Sequence, residues 1–258
     1  MTVHASVEAA ERRTFRERYR DDVAALGTVQ KSSRGAPLYS LRVNRPLGRR
    51  LAALAHQLGL RPNQVSVISA LFTMTGLVVL AAAEPTWSRS CVVASLLVLG
   101  YGIDAADGQL ARLTTGGSLA GEWLDHTLDM VKAGSFHAAV LVSAARFSDG
   151  LGVWPQAVAL GFMVVATSSF FVLILTEQLR RSAGAGAPAR PATWWFVLLG
   201  LPTDYGLQCL WMVARPADRV FFAGYAVLAA ANLGYLGVSA VGRFRQLSAL
   251  DAAGRVPR

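Results

Sequence analysis

The stretch DAADGQLARLTTGGSLAGEWLDHTLD, Asp104 to Asp129, decides how the rest of the chain is read. It links the ends of two apolar runs and carries four aspartates, Asp104, Asp107, Asp125 and Asp129. Carboxylates near the edge of a hydrocarbon slab are costly to desolvate and need cations or partners. Arg112 is the only arginine or lysine in the stretch and cannot neutralise four acids. Divalent metal ions are the natural counter-charge. Asp104 and Asp107 are three residues apart, Asp125 and Asp129 four apart. On helices each pair therefore shares a face, with roughly 5–6 Å between Cβ atoms. Two such pairs facing each other make an oxygen cage for hard cations such as Mg²⁺ or Mn²⁺. Two ions ~3.5–4 Å apart can clamp the attacking and leaving oxygens of an in-line phosphoryl displacement. Gly108 and Ala111 leave room for a phosphate to approach the backbone, and Arg112 offers it a bidentate fork. Gly121, one turn before Asp125, would let the third apolar segment approach the second closely.

Outward from this stretch the chain reads as a membrane protein. Of its 258 residues, 53% are hydrophobic and only 16% charged, against about a quarter charged in ordinary soluble domains. Six apolar segments are expected at about 64–83, 91–107, 119–145, 153–176, 194–214 and 219–241. Each is near the roughly 20 residues a helix needs to cross the hydrocarbon core. Upstream, Leu47, Leu51, Leu54 and Leu58 recur at helical spacing opposite Arg49, Arg50 and His56, which predicts an amphipathic helix in the headgroup layer. The fold class is thus all-α: six transmembrane helices preceded by an amphipathic juxtamembrane helix. Four regions follow: a polar arm (1–38) read as a solvated helix and the loop KSSRG, the interfacial helix (39–61), the six-helix catalytic domain (62–243) and a tail (244–258).

The net charge of +9 is almost all arginine, since Lys31 and Lys132 are the only lysines. These charges flank apolar segments, which favours anionic lipid headgroups over nucleic acid. With the N-terminus in the cytoplasm, only Arg89, Arg146, Arg215 and Arg219 of the flanking arginines fall outside. Both termini are therefore expected on the cytoplasmic side of a bacterial-type inner membrane. The N-terminal sixty residues hold no apolar run of the kind a signal peptide needs. Cys91 and Cys209 lack metal-ligand spacing and are expected to pack as small hydrophobes.

The Asp104–Asp129 stretch resembles the signature of the CDP-alcohol phosphotransferase (CDP-alcohol phosphatidyltransferase) family. It matches at every fixed position: Asp104, Asp107, Gly108, Ala111, Arg112, Gly121, Asp125 and Asp129. The segment RPNQVSV is similar to the family's start of its first membrane helix. The resemblance implies six membrane helices, a homodimer and an active site open to the cytoplasm. It implies a first metal held by Asp104, Asp107 and Asp125, and a second held by Asp104, Asp125 and Asp129. Asp129 would also be the general base for the acceptor hydroxyl, with CMP as leaving group. Pro62, Asn63 and Ser66 would lie near the cytidine end of the donor; Asn63 as a simple helix cap is the competing reading.

Further residues could shape an acceptor pocket. Lys132 follows Asp129 by three positions, so its ammonium can reach the same cavity or else snorkel to the interface. Arg180 and Arg181, beside Glu177, are candidates for an acceptor phosphate by the same resemblance, or simply cytoplasmic charges. Pro202–Gly206 breaks an otherwise apolar segment and either borders the substrate chamber or is a re-entrant kink. His126 and His137 are expected to pack rather than to ligate. The expected reaction moves a phosphatidyl group from CDP-diacylglycerol to a small polar hydroxyl acceptor, such as inositol phosphate, glycerol 3-phosphate or serine. Two alternatives are a soluble CDP-alcohol donating to diacylglycerol and, from another class, a cation transporter with intramembrane acids.

Overall fold

The computed structural model describes residues 14–28, 38–114, 116–186 and 200–254, and every regular element among them is helical. Helix α1 (Phe15–Thr28) is followed by a π-helical turn (Ser40–Asn44) that runs into α2 (Arg45–Gln57). Four long helices come next: α3 (Pro62–Ala82), α4 (Trp87–Thr114), α5 (Leu119–Phe147) and α6 (Trp154–Ser182). A short α7 (Tyr205–Trp211) sits between the 3₁₀ turns Leu201–Thr203 and Met212–Ala214, and α8 (Asp218–Ala252) ends the described chain. The KSSRG loop, residues 187–199 and the last four residues lie outside the described residues, as do residues 1–13 of the arm.

Helices α3, α4, α6 and α8 are each long and apolar enough to cross a membrane. Helix α5 has the length, at 29 residues, but Glu122, Asp125, Asp129 and Lys132 fall in its first half. The described part of the segment expected at 194–214 is not one helix. Pro202 lacks an amide donor, and the Asp204 side chain accepts from Gly206 N at 3.0 Å, which starts α7 afresh.

Helix α4 is central because glycines make it thin on two sides. A Cβ at Gly100 would lie 2.4 Å from Thr73 Oγ1 and 3.1 Å from Thr73 N of α3. A Cβ at Gly48 of α2 would lie 2.8 Å from Ala105 Cβ, and one at Gly102 would lie 2.6 Å from Leu47 Cδ2. Small residues let backbones approach in membranes, where packing and hydrogen bonds rather than hydrophobicity drive helix association. Those approaches bring α3 and α2 against the stretch of α4 that carries Asp104 and Asp107.

Two expectations change on the N-terminal side. The arm is not simply solvated: Tyr19, Val23 and Leu26 form a stripe on α1, and Leu26 is fully buried against Ala52, Ala53, Ala106 and Leu110. Arg18 Nε donates to Gln57 Oε1 at 3.1 Å, and His56 Nδ1 lies 2.8 Å from Asp22 Oδ2, fixing α1 along α2. Nor do Leu47, Leu51, Leu54 and Leu58 form one face. Leu47 and Leu51 pack toward α4, whereas Leu54 and Leu58 are exposed. The helix buries Gly48, Ala52 and Ala55 because only small side chains fit that crossing.

At the other end of the bundle, Glu84, Arg146, Asp149 and Asp218 line a polar cavity of about 460 Å³. Beside it Arg215 is wholly buried: it donates to Ser143 Oγ and Ser143 O, both at 3.1 Å, to Ser148 Oγ at 2.9 Å, and to Asp218. The core between the two ends includes Phe136, Phe162 and Tyr225, and His137 Nδ1 sits 2.5 Å from the Tyr225 hydroxyl. Cys209 belongs to this core, but Cys91 is exposed on the outer face of α4.

Candidate active site

The turn from α4 to α5 determines how the two aspartate pairs meet. Gly116 and Gly117 have φ of +76° and +99°, values that L side chains seldom adopt. Ser118 then caps α5, its Oγ accepting from Gly121 N at 3.0 Å. Folded back this way, the two helices bring one carboxylate oxygen each from Asp104, Asp107 and Asp125 to within 4.8 Å of one another. Asp129 lies one turn further along α5, within the same distance of Asp125 and a ring nitrogen of His126.

The donor set suits a hard divalent cation, since carboxylate oxygens on two rigid helices are the ligands Mg²⁺ and Mn²⁺ prefer. An octahedral ion with bonds near 2.1 Å spreads its ligand oxygens up to ~4.2 Å apart. Side-chain rotations of a few tenths of an ångström would therefore close the three carboxylates onto an ion. His126, expected only to pack, also offers a nitrogen at the rim, although Glu122 at 3.6 Å and Asp125 at 3.9 Å are its present neighbours.

Neighbouring polar groups hold the acids in place. Ser66 Oγ donates to Asp107 Oδ2 at 2.6 Å, both residues being buried. Ser69 Oγ contacts Gly100 O at 2.9 Å and Asp104 Oδ1 at 3.3 Å, so the close crossing of α3 and α4 positions a hydroxyl beside each acid of α4. Lys132 donates from Nζ to Asp104, to Asp129 Oδ1 at 3.3 Å and to Ser69 Oγ at 3.1 Å. Its ammonium is therefore inside the acidic cluster rather than at the interface.

The other expected site residues are distributed as follows. Gly108 has the Arg112 guanidinium alongside, 3.4 Å from where a Cβ would stand, and Ala111 follows on the same turn. Gly121 faces Asn63, not the second membrane segment: a Cβ would lie 3.1 Å from Asn63 Oδ1. Asn63 itself does not cap α3, because Arg61 is the cap residue and Pro62 begins the helix. Ser66 is turned onto Asp107, leaving Pro62 and Asn63 nearer the surface. Arg181 pairs with Glu122 at 2.5 Å and Glu177 at 2.6 Å, and Arg180 donates to Gly186 O. Arg181 is exposed and ties the end of α6 to the start of α5, whereas Arg180, half-buried, closes the turn that follows its own helix.

The Pro202–Gly206 break serves the scaffold. Asp204, 1% exposed, accepts from Tyr39 N at 3.0 Å and Ser40 N at 3.4 Å, joining the turn before α2 to the start of α7. Tyr205 follows it, with its ring against Tyr101 and Phe136. Sequence reasoning missed Ser69 and the linking role of Asp204. A serine four residues before Thr73 carries no signal until the crossing at Gly100 is known.

The family model described as CDP-alcohol phosphatidyltransferase matches residues 60–240. An archaetidylinositol phosphate synthase of Aeropyrum pernix is 35% identical over 78 residues, 30% of this chain and 40% of that protein. One of Pyrococcus horikoshii is 36% identical over 94 residues, 36% of this chain and 47% of that protein. The match thus spans less than half the length of either curated relative. The crystal structure of Mycobacterium tuberculosis phosphatidylinositol phosphate synthase with CDP-DAG bound aligns with 80% of this chain and 94% of that one. Its TM-score is 0.53 at 20% identity, a likeness of fold.

Proposed function

The chain belongs to the CDP-alcohol phosphatidyltransferase family, and from that premise we propose that it transfers a phosphatidyl group from CDP-diacylglycerol to a hydroxyl of a small polar acceptor, releasing CMP. The observation that carries this reading is the convergence of Asp104, Asp107 and Asp125 from two helices, with Asp129 adjoining. Inositol phosphate is the acceptor to test first, because both curated relatives are named for inositol phosphate products.

Asp104, Asp107, Asp125 and Asp129 would hold two divalent cations, Mg²⁺ or Mn²⁺. Bound there, the cations supply positive charge to the donor diphosphate and to the oxygens that change partners. Arg112, with Gly108 giving clearance beside it, binds the diphosphate from the cytoplasmic side of the cage. Asn63 and Pro62, at the mouth between α3 and α5, border the cytidine. Asp129 accepts the proton of the acceptor hydroxyl as its oxygen attacks the phosphorus distal to cytidine; the bond from that phosphorus to the bridging oxygen breaks, and CMP leaves. Ser66 and Ser69 keep the acids oriented through this change, so the protein's contribution is positioning and charge stabilisation. The protein acts in the membrane, with six spans, cytoplasmic termini and a homodimeric state completing the proposal. Arg180 and Arg181 would meet an acceptor phosphate by exchanging their present partners at the rim.

Release of CMP from CDP-diacylglycerol by the purified protein, with Mg²⁺ or Mn²⁺ and an acceptor panel led by inositol phosphate, tests the reading. Acceptor-dependent CMP release supports it. Absence of release with every acceptor, together with turnover of a soluble CDP-alcohol on diacylglycerol, would reverse the direction of transfer.

A further inference from the structure

Lys132 is 7% exposed, and its ammonium bridges Asp104 on α4 and Asp129 on α5. A lysine buried this deeply amid carboxylates is a fixed positive charge inside a cage read as holding cations. It also takes up the side of the cage between Asp104 and Asp129, leaving Asp104, Asp107 and Asp125 as the complete oxygen set. Buried charge must be balanced locally, since unbalanced charge in a low-dielectric site is expensive. Four carboxylates set against the Lys132 ammonium and the Arg112 guanidinium leave two negative charges, which one divalent cation cancels. A second divalent cation would leave the site positively charged unless an anion came with it. A diphosphate diester brings two negative charges.

We propose that Lys132 makes the two cation positions unequal, so that the resting protein takes one divalent cation on Asp104, Asp107 and Asp125, and the second position, between Asp104 and Asp129, fills only with the nucleotide diphosphate. The inference rests on the donor class proposed above. Lys132 gives up its bonds to Asp104 and Asp129 when the second position fills, and its ammonium then faces the chamber where an anionic acceptor would sit. Cation and donor binding are coupled reciprocally, each raising the affinity of the other by the same factor.

The test is a count of bound Mn²⁺ on the purified full-length protein in detergent, by electron paramagnetic resonance of the free ion, with and without CDP as soluble probe. One Mn²⁺ per chain without CDP and two with it is the expected result, the second affinity without CDP being at least tenfold weaker. Lys132→Met should take two without CDP. Two equal sites in the wild-type protein without CDP would overturn the proposal, and that measurement stands even if the variant does not fold. A Lys132→Met protein that counts like wild type would also overturn it. If Lys132→Met gains a cation while CDP changes neither protein, the lysine's part in cation binding stands and the donor class is what fails.

Discussion

Ser66 Oγ lies 2.6 Å from Asp107 Oδ2, in a contact that joins the first turns of α3 to the most buried of the four acids. Pro62 O, 3.2 Å away, is the other acceptor within reach of that single hydroxyl hydrogen, and the shorter contact is the one to the carboxylate. Orienting partners of metal-binding carboxylates are worth about 10- to 100-fold in metal affinity or activity. Ser66→Ala should therefore weaken Mn²⁺ binding by that factor, and Ser66→Thr should keep it. Equal Mn²⁺ affinity in Ser66→Ala and wild type would remove the orienting role.

Gly100 governs the α3–α4 crossing that delivers both serines. Its Cβ would be 2.4 Å from Thr73 Oγ1, and although a hydroxyl can turn, Thr73 N at 3.1 Å is backbone and cannot. Gly100→Ala is expected to cost ~1–3 kcal/mol through overpacking and to lower activity by displacing Ser69 from Asp104. Thermal unfolding in detergent checks the first effect. A variant as stable and as active as wild type would show that the crossing has slack.

Asp129 is the proposed base, and Asp129→Asn keeps its shape while removing its basicity. Turnover should fall by at least ~10²–10⁴-fold, the usual contribution of a positioned base, with the first Mn²⁺ on Asp104, Asp107 and Asp125 retained. Comparison of CMP release with Mn²⁺ affinity in the absence of CDP checks both. Retained turnover would assign the base elsewhere.

Arg215 lies at the opposite end of the bundle from the aspartates, and its role is structural. Removing the buried guanidinium leaves its buried hydrogen-bond partners unsatisfied, at roughly 1–3 kcal/mol for such a group. Arg215→Ala leaves Ser143 and Ser148 without this donor, and the Phe221 and Phe222 rings lose the guanidinium over them. A clear drop in thermal stability with unchanged Mn²⁺ affinity in the folded fraction is expected. A stable variant would show that the hub is redundant.

The aspartate stretch was legible because its chemistry is written in spacing. Separations of three and four on helices and one glycine-containing turn between them are enough to put Asp104, Asp107 and Asp125 in one place. The long apolar runs were legible for the same reason, being a matter of length and hydropathy. What escaped the sequence depends on which surfaces meet. The charges of α1 hid the Tyr19–Val23–Leu26 stripe, which has meaning only beside the alanines of α2. Arg215 reads as one more flanking charge until Ser143, Ser148 and Asp218 close around it. Gly121 makes a close approach to Asn63, a partner far away in the chain that spacing alone does not name.

The most direct test is the position of Mn²⁺ in crystals of the protein soaked with that ion, located by its anomalous scattering. The account predicts a peak bonded to oxygens of Asp104, Asp107 and Asp125, joined by a second peak beside Asp129 when CDP is added. A protein saturated with Mn²⁺ that binds it away from these carboxylates, or shows the four acids facing separate surroundings, would contradict it.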